Sequence, residues 1–221
     1  MNDNKIVEGI NCREAFKQAY ENRYTWPSNF SGYRGLCEYK SLTENLQGKF
    51  QLDKNLKISI SGITNELIYK SIFSQLWEVS IHRVYRPFES VHCENTFLSG
   101  ETNNVGTEVI VCGKCDGDLY KIKNNFITMV YRHIRNRAGK IYTDDILTTE
   151  SGYLSRAYTS QYYDPYTSKP TTAKSYFIDK FQKLHQEGPY VLIERSITTD
   201  AFINQAASQH SYLFNDLKKL D

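Results

Sequence analysis

The spacing of hydrophobic residues changes several times along this chain, and each change predicts a new kind of element. Within residues 56–60 apolar and polar residues alternate, which is typical of a strand that buries one face. Within 65–86 the apolar residues recur at helical spacing over a broad arc, so we expect a central helix that packs across a sheet. The stripe consists of Ile68, Ile72, Leu76 and Val79. Pro87 limits this helix.

Helices are also predicted near both ends of the chain. Residues 1–10 are expected to form a flexible tail, and Asn11 with Glu14 stands in the positions of a capping box. The N-terminal helix should stop before Pro27, because the residue that precedes a proline disfavours helical geometry. A C-terminal helix is predicted over about 200–220, where apolar residues fit a helical period.

Strands account for most of the remaining sequence, and short polar breaks between them indicate hairpins. The predicted strands cover 33–40, 46–53 and 56–60 before the central helix, and 94–99, 106–112, 118–123, 126–136, 140–148, 153–163, 173–184 and 190–198 after it. Turn residues such as Asp116-Gly117 and Ala138-Gly139 separate them.

The order of these elements predicts an α+β fold in a single domain spanning 11–221. Three hairpin strands cannot bury the central helix alone, so the two groups of strands should join in one large, curved antiparallel sheet. The central helix would then fill the hollow of this sheet, which has the form of a half-barrel, with further helices at the N- and C-termini. No internal repeat and no Gly/Ser linker divides the sequence.

Composition adds a functional hint to this fold. Aromatic residues make up 14% of the chain, with 17 Tyr and 11 Phe, which favours a sheet with one wet or ligand-facing side. The formal net charge is only +2, so no global attraction to nucleic acid or to an anionic membrane is expected.

The cellular setting is predicted from features that are missing. The first residues lack the apolar core of a secretory signal, and no apolar run approaches the ~18 residues of a membrane span. The five cysteines are odd in number and scattered. We therefore expect reduced thiols and a cytoplasmic location.

Six segments spread over nearly the whole chain carry a family resemblance. They are AFKQAYENRYTW at 15–26, QLWEVSIHRV at 75–84, ENTF at 94–97, MVYRHI at 129–134, GYL at 152–154 and YDP at 163–165. They resemble DUF3386, an uncharacterised family of cyanobacteria and plastid-bearing eukaryotes. The resemblance implies an oxygenic phototroph and supplies no activity. The order of strands and helices also resembles the half-barrels of bacterial lipoprotein carriers and some pigment-biosynthesis proteins, a likeness of fold that does not fix function.

Cys112 and Cys115 form a CxxC motif, which can be half of a zinc site or a redox pair. A zinc site usually needs a second comparable pair, and a thioredoxin-type motif opens a helix. Strand-like sequence lies on both sides of this motif, so a structural hairpin is favoured and the two thiols are only weak metal candidates. No metal or other cofactor is required by the sequence.

Two groups of cationic residues are candidate anion sites. His82, Arg83 and Arg86 close the central helix, where they either stabilise the negative end of the helix dipole or bind a carboxylate or phosphate at the mouth of the sheet. Residues Tyr131, His133, Arg135 and Arg137 alternate along a predicted strand, so they should share one face. That face is either solvated or lines a binding surface.

Tyrosines crowd around the predicted hairpin at Asp164-Pro165, and Tyr158 and Tyr162 are the candidates for ligand contact. Cross-strand aromatic pairing explains them, and so does an aromatic-lined cavity. Trp77 would contact the body of a ligand. No nucleophile elbow, phosphate loop or dinucleotide fingerprint is present, so no catalytic residue is predicted.

The first functional hypothesis is therefore a non-enzymatic binding or accessory protein for an apolar or amphipathic ligand such as a pigment, tetrapyrrole or lipid. The second is a protein-interaction factor, for example in the assembly of photosynthetic complexes, whose sheet hollow is simply full. The third is a small enzyme of pigment metabolism or a CxxC-dependent protein. A structure without a cavity beneath the central helix would favour the second over the first.

Overall fold

The structure is a computed structural model that describes residues 11–134 and 136–221. The expected tail, 1–10, lies outside the described residues. The helices are α1 (Cys12–Glu21), α2 (Glu66–Ile81) and α3 (Phe88–His92). The strands are β1 (Gly32–Lys40), β2 (Asn45–Asp53), β3 (Ile58–Ser61), β4 (Asn95–Thr102), β5 (Thr107–Gly113), β6 (Leu119–Lys123), β7 (Phe126–Ile134), β8 (Arg137–Thr149), β9 (Gly152–Tyr163), β10 (Ser175–Lys183), β11 (Tyr190–Thr199) and β12 (Ser208–Lys219).

All of these strands belong to one antiparallel sheet of twelve strands. Its order is β3-β2-β1-β12-β11-β10-β9-β8-β7-β6-β5-β4, so β3 and β4 are the edges. The predicted joining of both strand groups in one large antiparallel sheet, and with it the α+β class, is confirmed. None of the helices in the described residues is long and apolar enough to cross a membrane.

The predicted C-terminal helix is wrong, because residues 208–219 form the strand β12. Its buried residues Tyr212 and Phe214 alternate with less buried neighbours, which is the period of a strand. Apolar residues at 213, 217 and 220 match a helical period equally well. The sheet decided between the two, since β12 pairs with β1 on one side and with β11 on the other.

Two local predictions also need correction. The predicted strand 126–136 ends at Ile134, and Asn136 lies in a turn, whereas Ala138-Gly139 does not. Ala138 and Gly139 lie in β8 and are buried. Arg137 therefore begins the next strand and does not continue the alternation of β7. The short helix α3 was not predicted.

Asparagine side chains cap the two longer helices, and the sequence predicted the first of these caps. The Asn11 side chain accepts a hydrogen bond from the Glu14 N–H at 2.9 Å, which confirms Asn11 as the N-cap of α1. The Asn65 side chain accepts from the N–H groups of Leu67 and Ile68 at the start of α2. Helix α2 ends at Ile81, earlier than the predicted limit at 86.

Two separate apolar clusters hold the helices against the sheet. The apolar stripe of α2, from Ile68 to Val79, packs on residues of β1–β3 and β10–β12. Phe16 and Ala19 of α1, with Phe88 of α3, pack on β5–β7. The α2 cluster also includes Leu147 of β8 and Leu154 of β9, and the remaining inner-face residues of these two strands lie between the clusters.

Cross-strand register shows that both clusters lie on the same face of the sheet. Partners in an antiparallel ladder point to the same side. The ladder runs without a change of side from Val109, in the α1 cluster, to Ser160 of β9, through Tyr120, Val130 and Ile141. Ser160 pairs with Ser175, and Phe177, two residues further on, pairs with Ile197 of the α2 cluster. We call this helix-covered side the inner face and the other side the outer face.

We predict that removing residues 208–221 abolishes cooperative folding. β12 lies between β1 and β11, so its loss leaves two unpaired strand edges inside the sheet and divides the α2 cluster. Thermal unfolding followed by circular dichroism measures this, with removal of Asp221 alone as the control. A cooperative transition in the shortened chain would contradict the prediction.

A second prediction concerns His92, which is 3% exposed among the rings of Phe16, Tyr20 and Phe88. Burial, and then the nearby arginines, lower the pKa of His92 to about 4. The unfolded chain therefore binds the proton more readily, and stability falls as the pH drops from about 6.5 to 4. Over this whole pH range the free energy of unfolding falls by about 3 kcal/mol because of His92.

The measurement is the free energy of unfolding against pH for the natural chain and His92→Gln. Glutamine keeps an acceptor for the Asn95 side-chain N–H, which lies 3.0 Å from His92 Nδ1. We expect the natural chain to lose about 2–3 kcal/mol more than the variant across this range. Parallel curves for the two chains would refute the assignment.

Candidate functional site

Part of the inner face of β8 and β9, beyond Leu147 and Leu154 of the α2 cluster, forms a strip that neither helix cluster covers. Its side chains are half-buried and belong to neither apolar cluster. They are Ile141, Thr143, Tyr158, Ser160 and Tyr162, which share one side because Ile141 pairs with Ser160 and Thr143 with Tyr158. We call this set the central strip. It combines aromatic and polar groups that the fold leaves open.

A buried ion pair borders the central strip on the α2 side. Arg195 of β11 and Asp179 of β10 are 2% and 3% exposed. Arg195 donates two hydrogen bonds to Asp179, Nε to Oδ1 at 2.7 Å and Nη2 to Oδ2 at 2.6 Å. This bidentate geometry compensates the lost hydration of both charges.

The same guanidinium also ties α2 to the sheet. Arg195 Nη1 lies 3.0 Å from Gln75 Oε1 and 3.4 Å from Glu78 Oε2. Burial and the Asp179 charge raise the pKa of Glu78, while Arg195 opposes this. The charged group of Arg195 is thus fully occupied by protein partners and is not free to bind a ligand.

Tyr158 is held in place by this arrangement. Its ring stacks on Phe177 with centroids 4.6 Å apart and an interplanar angle of 4°. The guanidinium carbon of Arg195 lies 5.8 Å from the Tyr158 ring centroid, within cation–π range. Burial raises the pKa of Tyr158 well above its ordinary value, so its hydroxyl stays protonated and can donate a hydrogen bond.

Arg83 lies just beyond α2, and not all of its guanidinium N–H donors are hydrogen-bonded. Its Nη1 donates to the Tyr24 carbonyl at 3.3 Å, and its guanidinium carbon lies 5.6 Å from the Phe181 ring centroid. Its Nε is buried and has no hydrogen-bond partner, the single such side-chain atom in the described part of the chain. A buried donor without a partner costs about 1–3 kcal/mol. Loss of hydration lowers the pKa of Arg83 to about 10, so it remains charged at neutral pH.

Further cations surround Arg83. His82 is exposed, yet loss of hydration, followed by the charges of Arg83, Arg23 and Arg86, lowers its pKa to about 4. His82 is therefore neutral at pH 7, and the positive charge of this region comes from its arginines.

The structure brings some predicted site residues together and separates others. His82, Arg83 and Tyr158 lie in one neighbourhood, since Arg83 interacts electrostatically with Tyr158 and with Asp179. Trp77 is 44% exposed on α2 and stacks against Phe73. Arg86 is exposed in the loop after α2.

Tyr162 lies further along the central strip. It packs over Gly139, and the guanidinium carbon of Arg137 lies 5.0 Å from its ring centroid. It is four residues from Tyr158 on the same face, a distance of about 13 Å along a strand. The two tyrosines therefore mark the length of the central strip.

Tyr131 and His133 lie on the outer face. Tyr131 pairs with Lys140, and His133 pairs with Ala138. Tyr131 directly follows the inner-face residue Val130 in β7, so Tyr131 and His133 point to the opposite side. Their rings contact each other at 5.3 Å between centroids. One ligand cannot touch these two residues and the central strip. Arg135 lies outside the described residues.

Cys112 lies near the end of β5, and Cys115 lies in the turn before β6. The motif therefore has strands on both sides, as predicted. The Cys115 N–H donates to the Asn95 side chain at 3.0 Å. Within residues 11–134 and 136–221, no group of three or more His, Cys, Asp or Glu side chains is arranged to hold a metal ion.

Sequence reasoning missed Arg195, Asp179 and Arg23. A signal was present in β10, where Asp179 occupies an inner-face position between Phe177 and Phe181. A charged residue among alternating apolar residues requires a buried partner of opposite charge. The identity of that partner depends on which strand lies alongside, and the sequence does not give it.

The space beneath α2 is filled by the protein itself. Ile72 and Leu76 of α2 and Leu192 of β11 are each no more than 1% exposed. Two surface depressions, of about 430 and 420 Å³, lie elsewhere, one beside α1 and one at β2, and no residue of α2 lines either of them. A ligand on the inner face would therefore bind beside α2, on the central strip.

Comparison with protein families gives one assignment. The model described as "Protein of unknown function (DUF3386)" matches residues 7–220. The chain belongs to the DUF3386 family. A comparison with curated proteins found no match.

Solved structures similar to this DUF3386 chain include a LolA superfamily protein from Nitrosomonas europaea. It is 6% identical with a TM-score of 0.33, and the match covers 96% of this chain and 95% of that one. A second is the MucA/MucB complex of Pseudomonas aeruginosa, at 6% identity and a TM-score of 0.22, covering 92% and 93%. At such low TM-scores the likeness carries no argument, and the description of the sheet rests on its own strand order.

We predict that Asp179→Ala lowers the free energy of unfolding by about 3–5 kcal/mol, because it leaves the Arg195 charge buried without its main partner. The double variant Asp179→Leu with Arg195→Met should recover most of this loss, since apolar residues of similar size replace the pair. Urea unfolding measures both. A loss below about 1 kcal/mol in Asp179→Ala, as for an exposed ion pair, would contradict the buried role.

Proposed function

We propose that this DUF3386 protein is a non-enzymatic binding or accessory protein that holds an amphipathic ligand on its inner face. The observation that carries the proposal is Arg83, whose buried Nε has no hydrogen-bond partner in the described residues and which interacts electrostatically with Tyr158 of the central strip. An arginine offers a charged contact, and half-buried aromatic rings offer an apolar surface.

The charged contact favours an anionic group on the ligand. Arg83 and Arg23 are both half-buried, and they interact electrostatically with each other. Arg23 keeps its own position by donating from Nε to the Tyr20 carbonyl at 2.8 Å and by lying over the Tyr20 ring. An anion placed between these arginines would relieve their mutual repulsion.

The apolar contact favours a body with a large hydrophobic surface. Tyr158, Ile141 and Tyr162 follow one another along the strip. Near α2 the exposed Trp77 adds an aromatic surface. In finer terms, we propose a pigment, tetrapyrrole or lipid of an oxygenic phototroph, the setting that the DUF3386 resemblance implies, bound in the cytoplasm.

A second candidate function is a protein-interaction factor without a ligand, for example in the assembly of photosynthetic complexes. The closely filled bed beneath α2 favours it, because no cavity is needed there for a ligand. Exposed apolar side chains on α2 and the following loop would contact the partner. They are Leu67, Trp77, Val84 and Tyr85.

The test of the ligand proposal is a titration of purified protein with amphiphiles, followed by tryptophan fluorescence. Both tryptophans serve as reporters, since the backbone N–H of Trp26 donates to the Arg83 carbonyl at 2.7 Å and Trp77 lies on α2. We expect a saturable change with anionic amphiphiles such as fatty acids, protoporphyrin or phosphatidylglycerol below their aggregation concentrations.

Two matched variants locate the binding surface. Ile141→Glu places a carboxylate on the central strip and should weaken binding at least about tenfold, by charge repulsion and lost apolar contact. Ile178→Glu makes the same change on the outer face, where Ile178 is 56% exposed, and should leave binding unchanged. Thermal unfolding checks that both variants fold. Absence of saturable binding for every amphiphile would overturn the proposal in favour of the interaction factor.

A further inference from the structure

We propose that the anionic end of the ligand is a single carboxylate, bound by the free edge of Arg83 and the hydroxyl of Tyr158, and that the ligand is a long-chain monocarboxylate. This inference rests on the proposed function and names the chemical class that the same surface accepts.

The first argument is the geometry of the donors on Arg83. Nη1 is used by the Tyr24 carbonyl, so Nε and Nη2 are left along one edge of the guanidinium. Nε is buried without a partner. Two adjacent parallel N–H donors match the two oxygens of a planar carboxylate. The protein itself supplies no acceptor for Nε in the described part of the chain.

The second argument is the local charge. Three buried or half-buried guanidinium groups, on Arg23, Arg83 and Arg195, lie in this region with the carboxylates of Asp179 and Glu78, while water screens the charge of the exposed Arg86. Neutral His82 adds nothing to this balance at pH 7. One positive charge is left over, which a monoanion neutralises. A doubly charged phosphate would leave a net negative charge beside the carboxylates of buried Asp179 and half-buried Glu78.

The third argument is the surface next to Arg83. The stacked rings of Tyr158 and Phe177 lie beside the ion pair. From Tyr158 the strip continues past Ile141 to Tyr162, about 13 Å along the strand. An extended alkyl chain would cover this length, whereas a short acid would leave it in water. The Tyr158 hydroxyl forms no hydrogen bond among the described residues, so it is available to the carboxylate.

The experiment compares three probes with the same twelve-carbon tail by isothermal titration calorimetry at pH 8: dodecanoate, its methyl ester and dodecyl phosphate. We expect dodecanoate to bind most tightly. The ester lacks the charge, and most of the phosphate is doubly charged at this pH. Each should bind at least about tenfold more weakly than the acid, the ester because it loses a charged hydrogen bond and the phosphate because its second negative charge is not neutralised.

Variants then test Arg83 directly. Arg83→Gln should weaken dodecanoate binding by roughly tenfold to a hundredfold and remove the preference for the acid over the ester. Arg83→Lys keeps the charge but loses the paired donors, so its affinity should be intermediate. Tyr158→Phe keeps the ring and should cost roughly threefold to tenfold.

The control is Arg34→Gln, which removes an exposed arginine from the outer face of β1 and should change affinity by less than about twofold. Thermal unfolding confirms that each variant folds, and the comparison of acid with ester on the natural chain does not depend on any variant. Three results would overturn the carboxylate assignment while leaving the proposed function in place. They are equal binding of acid and ester, tighter binding of the phosphate, and an unchanged affinity in folded Arg83→Gln. If no amphiphile of any class binds, the proposed function fails and this inference fails with it.

Discussion

The sheet depends on β12, the last strand of the chain, which lies between β1 and β11. Its ladder with β1 runs from Tyr33–Lys219 to Lys40–Ser211, and its ladder with β11 holds the rest of the sheet. Without β12 the three N-terminal strands would be a separate meander. Because β12 joins them to β10 and β11, α2 finds an apolar bed formed from both ends of the sequence. The position of every group around the central strip follows from this pairing.

The buried pair of Arg195 and Asp179 is the consequence that matters most for function. It occupies inner-face positions that apolar residues could fill, so folding costs the hydration free energy of two charged side chains there. In return it connects α2 to the sheet through Gln75 and Glu78, and it fixes the ring of Tyr158. Arg195 is satisfied by the protein, whereas Arg83, close by, is not. This contrast distinguishes a structural arginine from one that can receive a ligand.

Period and turn chemistry were enough to predict the strands before and after α2, because each strand shows its own alternation and its own polar break. They failed where one pattern fits two structures. Residues 208–219 carry both a helical and a strand period, and only the partners on either side favour the strand. The turn at Asn136 comes earlier than the Ala138-Gly139 pair indicated, so Arg137 belongs to the next strand. Of the candidate site, His82, Arg83 and Tyr158 were identified, since cations at a helix end and clustered tyrosines are visible in the sequence.

The sequence by itself determined the α+β class, the single large antiparallel sheet, the helix cap at Asn11, and membership of the DUF3386 family. These properties depend on local spacing and on short-range hydrogen bonds, which a linear pattern records. Only the tertiary structure decided that Tyr131 and His133 lie on the opposite face from Tyr158, that Arg195 meets Asp179, and that Arg83 keeps a donor free. Each of these depends on strand register or on contacts between residues far apart in sequence, and a shift of one residue in register would reverse the faces.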